Sequence, residues 1–303
     1  MSSSTRQHQA KDHTVEAALE VFNDRLAGVL EDDAAQVERP LALLVGHQRS
    51  GSTLVSQYLC ASLDVGYPSN VIARFWRAPV AGISIEKSLS HQLGPVRSTF
   101  QSELGTTHAL RDPHEFSYFW NEWFPGETRC RDEAAFYRTV ANMERAFGRP
   151  LLFKNNFNSL RIELLARLLP TSIFVVIRRD LLDVACSTLN ARRSRYGDDT
   201  AWFGIRPPAC EDVSQLSPYE QIAAQVHHTE AAITTGLASL APDRVIEISY
   251  EAFCAEPGRL RDQLVSAGFA LRPEADLPSS FRGTSTAVGH PDADALARAL
   301  ADA

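Results

Sequence analysis

Residues 41–54, LALLVGHQRSGSTL, constrain the fold of this chain more than any other segment. An apolar run is followed by a glycine, four residues, a second glycine and Ser-Thr, where an amphipathic stretch begins. Gly46 and Gly51 allow positive φ angles and a close approach of the backbone to a ligand. The unpaired N–H groups of a new helix point at any negative group placed there. The segment therefore predicts a strand over Leu41–Val45, an anion-binding loop, and a helix from about Ser52 to Leu63.

The loop departs from an ordinary nucleotide site in one respect. Its spacing, G-x-x-x-x-G, is that of a phosphate-binding loop, but the lysine that follows the second glycine in ATP and GTP sites is missing. Ser52 stands in its place, and Arg49 is the cation of the loop. We therefore expect the loop to hold a phosphate-like group, though not as an ATP or GTP site does. The alternative is a tight turn in which the glycines serve geometry alone.

Four apolar runs alternate with helical patterns, which predicts a parallel sheet with helices on both faces. After the first strand, further strands are expected at 151–154, 171–177 and 245–248. Helices are expected at 14–30, 52–63, 132–147, 159–169, from 181 onwards, at 219–240 and at 260–267. Ligands of such sheets bind beyond the carboxyl ends of the strands, where the loop after Val45 and the arginines after Ile177 lie. Residues 64–130 are expected to be irregular connections over the sheet.

The composition indicates a local anion site in an acidic protein. A net charge of −7 argues against nucleic acid as the main partner, because no basic excess exists to neutralise phosphates.

The five cysteines are scattered, without a C-x-x-C pair, and no His, Cys or Asp cluster has metal-ligand spacing. This fits a reducing compartment better than disulfides or a metal site. Residues 1–13 are polar, so we expect a flexible tail and no secretory signal, and no stretch approaches the ~18 apolar residues of a membrane span. A single cytoplasmic domain over 1–303 is expected.

The arginine-bearing loop resembles that of one family. Arg-Ser-Gly-Ser-Thr, followed by Leu-Val-Ser-Gln-Tyr-Leu, is similar to the 5′-phosphosulfate loop of sulfotransferases that use 3′-phosphoadenosine 5′-phosphosulfate (PAPS). The Arg-Ser-Gly-Ser form looks closest to the carbohydrate and tyrosylprotein branches. The resemblance implies that the cofactor is bound by His47, Gln48, Arg49, Ser50, Gly51, Ser52 and Thr53.

Residues 179–187, RDLLDVACS, resemble the family's 3′-phosphate segment, in which an Arg closes a strand and a Ser lies eight residues on. The resemblance implies that Arg179 and Ser187 bind that phosphate, and an Arg fork plus a hydroxyl suits it. Strand alternation sends Arg178 and Arg179 to opposite faces, so we expect one of the two to meet the ligand. The family usually has Pro where Leu181 stands.

Weaker matches extend the resemblance to roughly residues 40–60 and 150–270. The run at 151–180 is similar to the family's lysine-bearing strand and the helix after it, and that at 249–269 to its Tyr-Glu segment. Phe281-Arg282-Gly283-Thr284 resembles a reduced form of the Arg-Lys-Gly element that adds to 3′-phosphate binding; the alternative is a plain turn. The resemblance places the acceptor-side loops at 64–130.

Sulfuryl transfer is similar to phosphoryl transfer and needs a cation near the transferring group and a base near the acceptor hydroxyl. Arg49 is the expected cation, and Lys154 is a second candidate to contact the sulfate. His-Glu-Phe-x-x-Phe-Trp resembles the stretch that carries the catalytic Glu in glycan sulfotransferases, which implies Glu115 as the base, with His114 and His91 next. An apolar setting would raise the pKa of that carboxyl towards the working pH. Alternatively, Glu115 is a surface acid beside core aromatics.

The sequence thus predicts a PAPS-dependent sulfotransferase with a P-loop NTPase-like three-layer α/β sandwich: a parallel sheet of about four to five strands with helices on both faces. It would move a sulfuryl group from PAPS to a hydroxyl of a carbohydrate, glycoconjugate or small metabolite, release PAP and use no metal. The alternatives are a non-catalytic PAP- or PAPS-binding protein and a P-loop kinase. A kinase is disfavoured because no Lys follows Gly51 and the strand before Arg178 does not end in Asp.

Overall fold

One four-stranded sheet organises the protein. A computed structural model describes residues 13–33, 35–93, 98–273 and 276–303. The strands are β1 (Leu41–Gly46), β2 (Leu151–Lys154), β3 (Ser172–Arg178) and β4 (Val245–Ser249). They run parallel in the order β2-β1-β3-β4. Most of the expected tail, residues 1–12, lies outside the described residues, and His13 already begins a helix.

Helices connect the strands. In the first half of the chain they are α1 (His13–Leu26), α2 (Ser52–Ser62), α3 (Pro79–Ser88), α4 (Ser90–Leu93), α5 (Ser117–Trp123) and α6 (Glu133–Phe147). In the second half they are α7 (Ile162–Leu168), α8 (Leu181–Tyr196), α9 (Pro218–Ala238), α10 (Tyr250–Ala255), α11 (Pro257–Ser266) and α12 (Ala293–Asp302). Each strand and helix expected from the sequence is present, with ends shifted by a few residues.

The segment 64–130 is more ordered than expected, because it carries α3, α4 and α5. These helices are too short to show a sustained 3.6-residue period in the sequence. The helix α12 was also not expected. It is rich in alanine, and its buried residue Leu296 packs in a cluster with α8 and α9, so tertiary packing of its apolar side stabilises this short helix.

Both faces of the sheet are covered. Alternate residues of β1 enter two separate cores: Leu41, Leu43 and Val45 join the aromatic cluster under α5 and α6, whereas Ala42 and Leu44 pack against α2, α10 and α11. Burial on both faces explains why β1, β2 and β3 appear in the sequence as nearly continuous apolar runs. The expected three-layer α/β sandwich is therefore confirmed.

The strand register brings the candidate residues to one edge. Gly46 is level with Ile177 across β1 and β3, and Leu44 is level with Lys154 across β1 and β2. The carboxyl ends of three neighbouring strands thus meet. Gly46 has a φ of 150°, and a Cβ there would lie 2.6 Å from the carbonyl oxygen of Ile177. Only glycine lets the chain leave β1 this close to β3.

Candidate functional site

A cavity of about 660 Å³ lies at the carboxyl edge of the sheet. Its walls come from the loop after β1, the ends of β2 and β3, and the segments 100–105, 203–205 and 281–284. The predicted site residues that line it are Gln48, Arg49, Gly51, Ser52, Thr53, Glu115, Arg179 and Arg282. These predicted residues come from four separate parts of the chain and converge on one space, as expected for a ligand site in an open α/β sheet.

The loop after β1 ends at an open helix N-terminus. Arg49 and Gly51 have left-handed φ angles of 65° and 88°. A Cβ at Gly51 would lie 2.4 Å from the Tyr250 ring, so the position requires glycine. Gly51 caps α2 without a side-chain hydrogen bond. The first N–H groups of α2 thus remain available for an anion, and the helix dipole favours negative charge there.

The two predicted anion-binding segments touch. Arg49 donates from Nε to Ser187 Oγ at 3.0 Å, and Arg179 donates from Nη1 to the Arg49 carbonyl oxygen at 2.8 Å. Burial, and then the charge of Arg179, lowers the pKa of Arg49. The Nε of Arg179 is buried without a hydrogen-bond partner, and Asp183 Oδ2 lies 4.0 Å from it. Two adjacent guanidiniums with spare donors make this end of the cavity suited to an anionic group.

The neighbouring arginines at the end of β3 have different surroundings. Arg178 pairs with Glu230 and donates from Nε to Glu247 at 2.7 Å. Arg179 lines the cavity, with its guanidinium 4.5 Å from the centroid of the Tyr250 ring. Alternation along the strand therefore directs one arginine to the cavity and the other into surface ion pairs.

The segment 281–284 is held over the same end of the cavity. The Thr284 carbonyl accepts a hydrogen bond from Arg179. The chain that follows is fixed by Asp183, whose Oδ1 accepts hydrogen bonds of 2.7–2.8 Å from 285–287. Burial alone would raise the pKa of Asp183, but these hydrogen bonds and the charge of Arg179 lower it. Arg282 is thereby kept on the cavity wall.

Glu115 lies on the cavity wall in an ion pair. Its Oε1 contacts the Nζ of Lys154, the last residue of β2, whose side chain is 5% exposed against 33% for Glu115. Asn155 Nδ2 donates to the Glu115 carbonyl oxygen at 3.0 Å and fixes the backbone. The apolar setting expected for this carboxylate is not what the structure shows. The aromatics after it turn into the core, while Glu115 faces Lys154, which lies 39 positions further along the chain.

The histidine candidates lie elsewhere. His114 Nδ1 accepts a hydrogen bond from the Phe116 N–H at 2.8 Å, and His91 is exposed on α4. His47 is buried, with Nε2 2.9 Å from Glu230 Oε2. None of the three is among the residues that line the cavity. The same holds for Ser50, Ser187 and Gly283, although Ser187 is joined to the site through Arg49.

The structure adds residues that sequence reasoning missed. Asn156 accepts a hydrogen bond from the Ser52 hydroxyl at 3.0 Å and so links the loop to the end of β2. Tyr250 packs under Gly51 and Arg179. Phe157 and the segment 203–205 form another part of the wall. The sequence could have indicated Asn156, because it lies two residues after Lys154 at the carboxyl end of a predicted strand. It could not have indicated 203–205, because that segment has no periodic pattern.

Two negative findings concern the described part of the chain alone. Within residues 13–33, 35–93, 98–273 and 276–303, no group of three or more His, Cys, Asp or Glu side chains could hold a metal ion. None of the helices described above is long and apolar enough to cross a membrane.

Comparison with known proteins identifies the family to which this chain is similar. A family model described as the sulfotransferase family matches residues 40–266, more than half of the chain. Among solved structures, sulfotransferase STF1 from Mycobacterium tuberculosis H37Rv has a TM-score of 0.55 and 13% identity, covering 95% of this chain and 81% of that chain. Sulfotransferase STF9 from Mycobacterium avium has a TM-score of 0.53 and 15% identity, covering 95% and 80%. Likeness at these identities shows the fold. A search of curated proteins found no match.

Proposed function

Because the chain belongs to the sulfotransferase family, we propose that it moves a sulfuryl group from PAPS to a hydroxyl of a carbohydrate, glycoconjugate or small metabolite. One observation carries the proposal: the open helix N-terminus, the Arg49–Arg179 contact and the Glu115–Lys154 pair all lie on one cavity. Anion binding and proton acceptance are thus possible within one site.

The end of the cavity that is lined by Arg49 and Arg179 fits the sulfuryl donor. We assign the 5′-phosphosulfate to the N–H groups at the start of α2, and the 3′-phosphate to Arg179 and Ser187 with support from Arg282. The positions of Arg49 and Arg179 support this assignment, because both line the cavity beside the uncapped start of α2, where positive charge and free N–H groups favour an anion. When bound, PAPS supplies the sulfuryl group, and no metal ion is required for in-line transfer.

The other end of the cavity fits the acceptor hydroxyl. Glu115 takes the hydroxyl proton while the acceptor oxygen bonds to sulfur and the bond between sulfur and the bridging oxygen breaks. The ammonium of Lys154, in contact with Glu115, supplies positive charge beside the reacting atoms. Arg49 is the cation expected from the sequence, but its side chain is turned towards Ser187. We therefore assign Lys154 to the transferring group and Arg49 to the rest of the cofactor.

We also propose that the chain works as one domain, with 64–130 supplying acceptor-side loops. Glu115 and residues of 100–105 from this segment line the cavity. A cytoplasmic location fits the five cysteines, all free and buried.

PAP should stabilise the folded protein without added metal. A ligand that binds the native state alone raises the free energy of unfolding by mass action, about 2.7 kcal/mol at a hundredfold excess over Kd. Thermal melting in the presence of EDTA should therefore show a Tm several degrees higher with millimolar PAP than without a ligand. The same concentration of ATP–Mg²⁺, measured without EDTA, should raise the Tm much less. An unchanged Tm with PAP would contradict the cofactor assignment.

Arg179→Ala should weaken PAP binding by about 1.5–3 kcal/mol, the value of a charged hydrogen-bonded contact. Arg178→Ala is the matched control, since Arg178 precedes it in the chain but pairs with Glu230 and Glu247. Adenosine 5′-phosphosulfate lacks the 3′-phosphate and should lose much less affinity. Calorimetry with both ligands measures the difference, and equal losses would show that Arg179 does not bind that phosphate.

A further inference from the structure

The chain makes a left-handed turn directly after the candidate base. Phe116, which follows Glu115, has a φ of 55° and is the N-cap residue of α5. A bulky aromatic residue rarely adopts this conformation, and one that does is held in it by its surroundings. From these surroundings we infer that His114 is a positioning residue, which holds the turn and thereby keeps the Glu115 carboxylate on the cavity wall. The inference rests on the proposed role of Glu115 as the base and adds a residue that acts through it.

The turn separates two side chains that have opposite surroundings. Glu115 lines the cavity and contacts Lys154. Phe116 is 1% exposed, and its ring stacks on that of Phe119 in the aromatic core, with the centroids 4.7 Å apart. If φ of Phe116 relaxed to the usual negative value, the chain before this residue would rotate against the chain after it. Because removing a buried ring from the core costs more than moving a partly exposed carboxylate, Glu115 would be displaced.

His114 supplies a hydrogen bond across the turn. Its Nδ1 accepts from the Phe116 N–H at 2.8 Å. Asn and Asp side chains make the same kind of bond to the backbone two residues on, and this bond stabilises their turns. The backbone of His114 is fixed as well, because its N–H donates to the Pro68 carbonyl oxygen at 2.8 Å. The ring therefore holds Phe116 from a position that is anchored to another segment.

The peptide unit that joins Glu115 to Phe116 is held at both of its polar groups. Its N–H donates to His114 Nδ1, and its carbonyl oxygen accepts from Asn155 Nδ2 at 3.0 Å. Rotation of this peptide unit would break these bonds. Asn155 is buried and directly follows Lys154, so the second bond also fixes the backbone of the base relative to that of the lysine. His114 and Asn155 together set the place from which the carboxylate reaches the cavity.

The same contact argues against His114 as the base. A ring nitrogen that accepts a hydrogen bond carries no proton, so the neutral ring has its proton on Nε2. Neither nitrogen then has a free lone pair for the proton of an acceptor hydroxyl. His114 is also not among the residues that line the cavity. Its effect on the reaction therefore passes through Glu115.

Two substitutions of nearly equal shape separate these roles. In His114→Asn the Oδ1 atom can accept from the Phe116 N–H as Nδ1 does, but the amide cannot take a proton. In His114→Leu a side chain of similar shape has no acceptor. We expect release of labelled sulfate from PAPS, with water as the acceptor, to fall about 10- to 100-fold in His114→Leu and to stay within about threefold of the wild type in His114→Asn. PAP affinity, measured by calorimetry, should be unchanged in both.

The matched control is His108→Ala, since His108 is an exposed histidine of the same segment that does not line the cavity. It should keep the wild-type rate. Adding His114→Leu to Glu115→Gln should cause no further loss, because the group that His114 positions is already absent. Melting curves show whether each variant folds, and His114→Ala replaces His114→Leu if the leucine variant does not.

Crystal structures of the variants with PAP give a readout that does not depend on turnover, and they decide alone if water is too poor an acceptor. His114→Leu should lose the left-handed φ of Phe116 or the contact of Glu115 with Lys154, whereas His114→Asn should keep both. Three results would overturn the inference: both features intact in His114→Leu, equal losses of rate in His114→Leu and His114→Asn, or a double mutant much slower than Glu115→Gln. In these cases PAP binding would leave the proposed function standing. Absence of PAP binding by the wild-type protein would instead contradict the proposed function.

Discussion

Glu115→Gln should lower turnover about 10²–10⁴-fold while PAP affinity stays near that of the wild type. Glutamine keeps the shape and a hydrogen bond to Lys154 but cannot take the proton of the acceptor hydroxyl. The residue lies on the cavity wall, away from the Arg179 end that holds the 3′-phosphate in our assignment. The measurement is kcat at saturating PAPS and acceptor, with the PAP Kd from calorimetry.

His91→Gln is the control for this experiment, since His91 is exposed on α4 and does not line the cavity. It should retain turnover. Near-normal activity in Glu115→Gln would contradict the assignment and make His114, the next candidate from the sequence, the residue to test by the same substitution.

The framework of the fold could be predicted because its signals are local. Three strands buried on both faces stand out as apolar runs such as 172–177, and long helices such as α6 and α9 show a periodic pattern. The glycines at 46 and 51 can also be recognised from their spacing in the loop, although the reason for each is a tertiary contact: an added Cβ would lie 2.6 Å from the Ile177 carbonyl oxygen and 2.4 Å from the Tyr250 ring, respectively. Apolar runs, periodic patterns and glycine spacing can therefore all be recognised in the sequence.

The rest of the site depends on contacts between distant segments. Lys154 meets Glu115 because the end of β2 lies under the turn before α5, a juxtaposition that no periodicity records. The segment 203–205 is held by hydrogen bonds from Gln225 on α9, whose Nε2 donates to the carbonyl oxygens of Phe203 and Ile205. The short helices α3, α4 and α5 depend on packing in the same way. Sequence patterns report which faces are buried, but not which side chains meet across a cavity.

One assignment changes when the geometry is considered. The sequence favours Arg49 as the cation at the transferring group, because Arg49 is the cation of the loop whereas Ser52 stands in the place of the usual lysine. In the structure its Nε is bonded to Ser187, a residue expected to bind the 3′-phosphate, and Lys154 is the cation in contact with the candidate base. We therefore expect substitutions of Arg49 and Lys154 to have different effects. Arg49→Ala should weaken cofactor binding more than it slows turnover.

Lys154→Met should lower turnover about 10²–10³-fold, the usual cost of removing one preorganised group that stabilises developing charge. Methionine keeps the length of the side chain in a position that is 5% exposed, so the core should remain filled. PAP affinity should fall little, because Arg49 and Arg179 remain. Steady-state kinetics, PAP calorimetry and a melting curve separate lost catalysis from lost folding.

A double mutant decides how Lys154 acts. If the lysine only positions Glu115, then Lys154→Met added to Glu115→Gln should cause no further loss, because the interaction it supports is already gone. If its charge acts on the transferring group, as we propose, the double mutant should lose at least about tenfold more than Glu115→Gln alone. If the double mutant has the same turnover as Glu115→Gln, Lys154 only positions Glu115, and Arg49 becomes the cation that balances the developing charge.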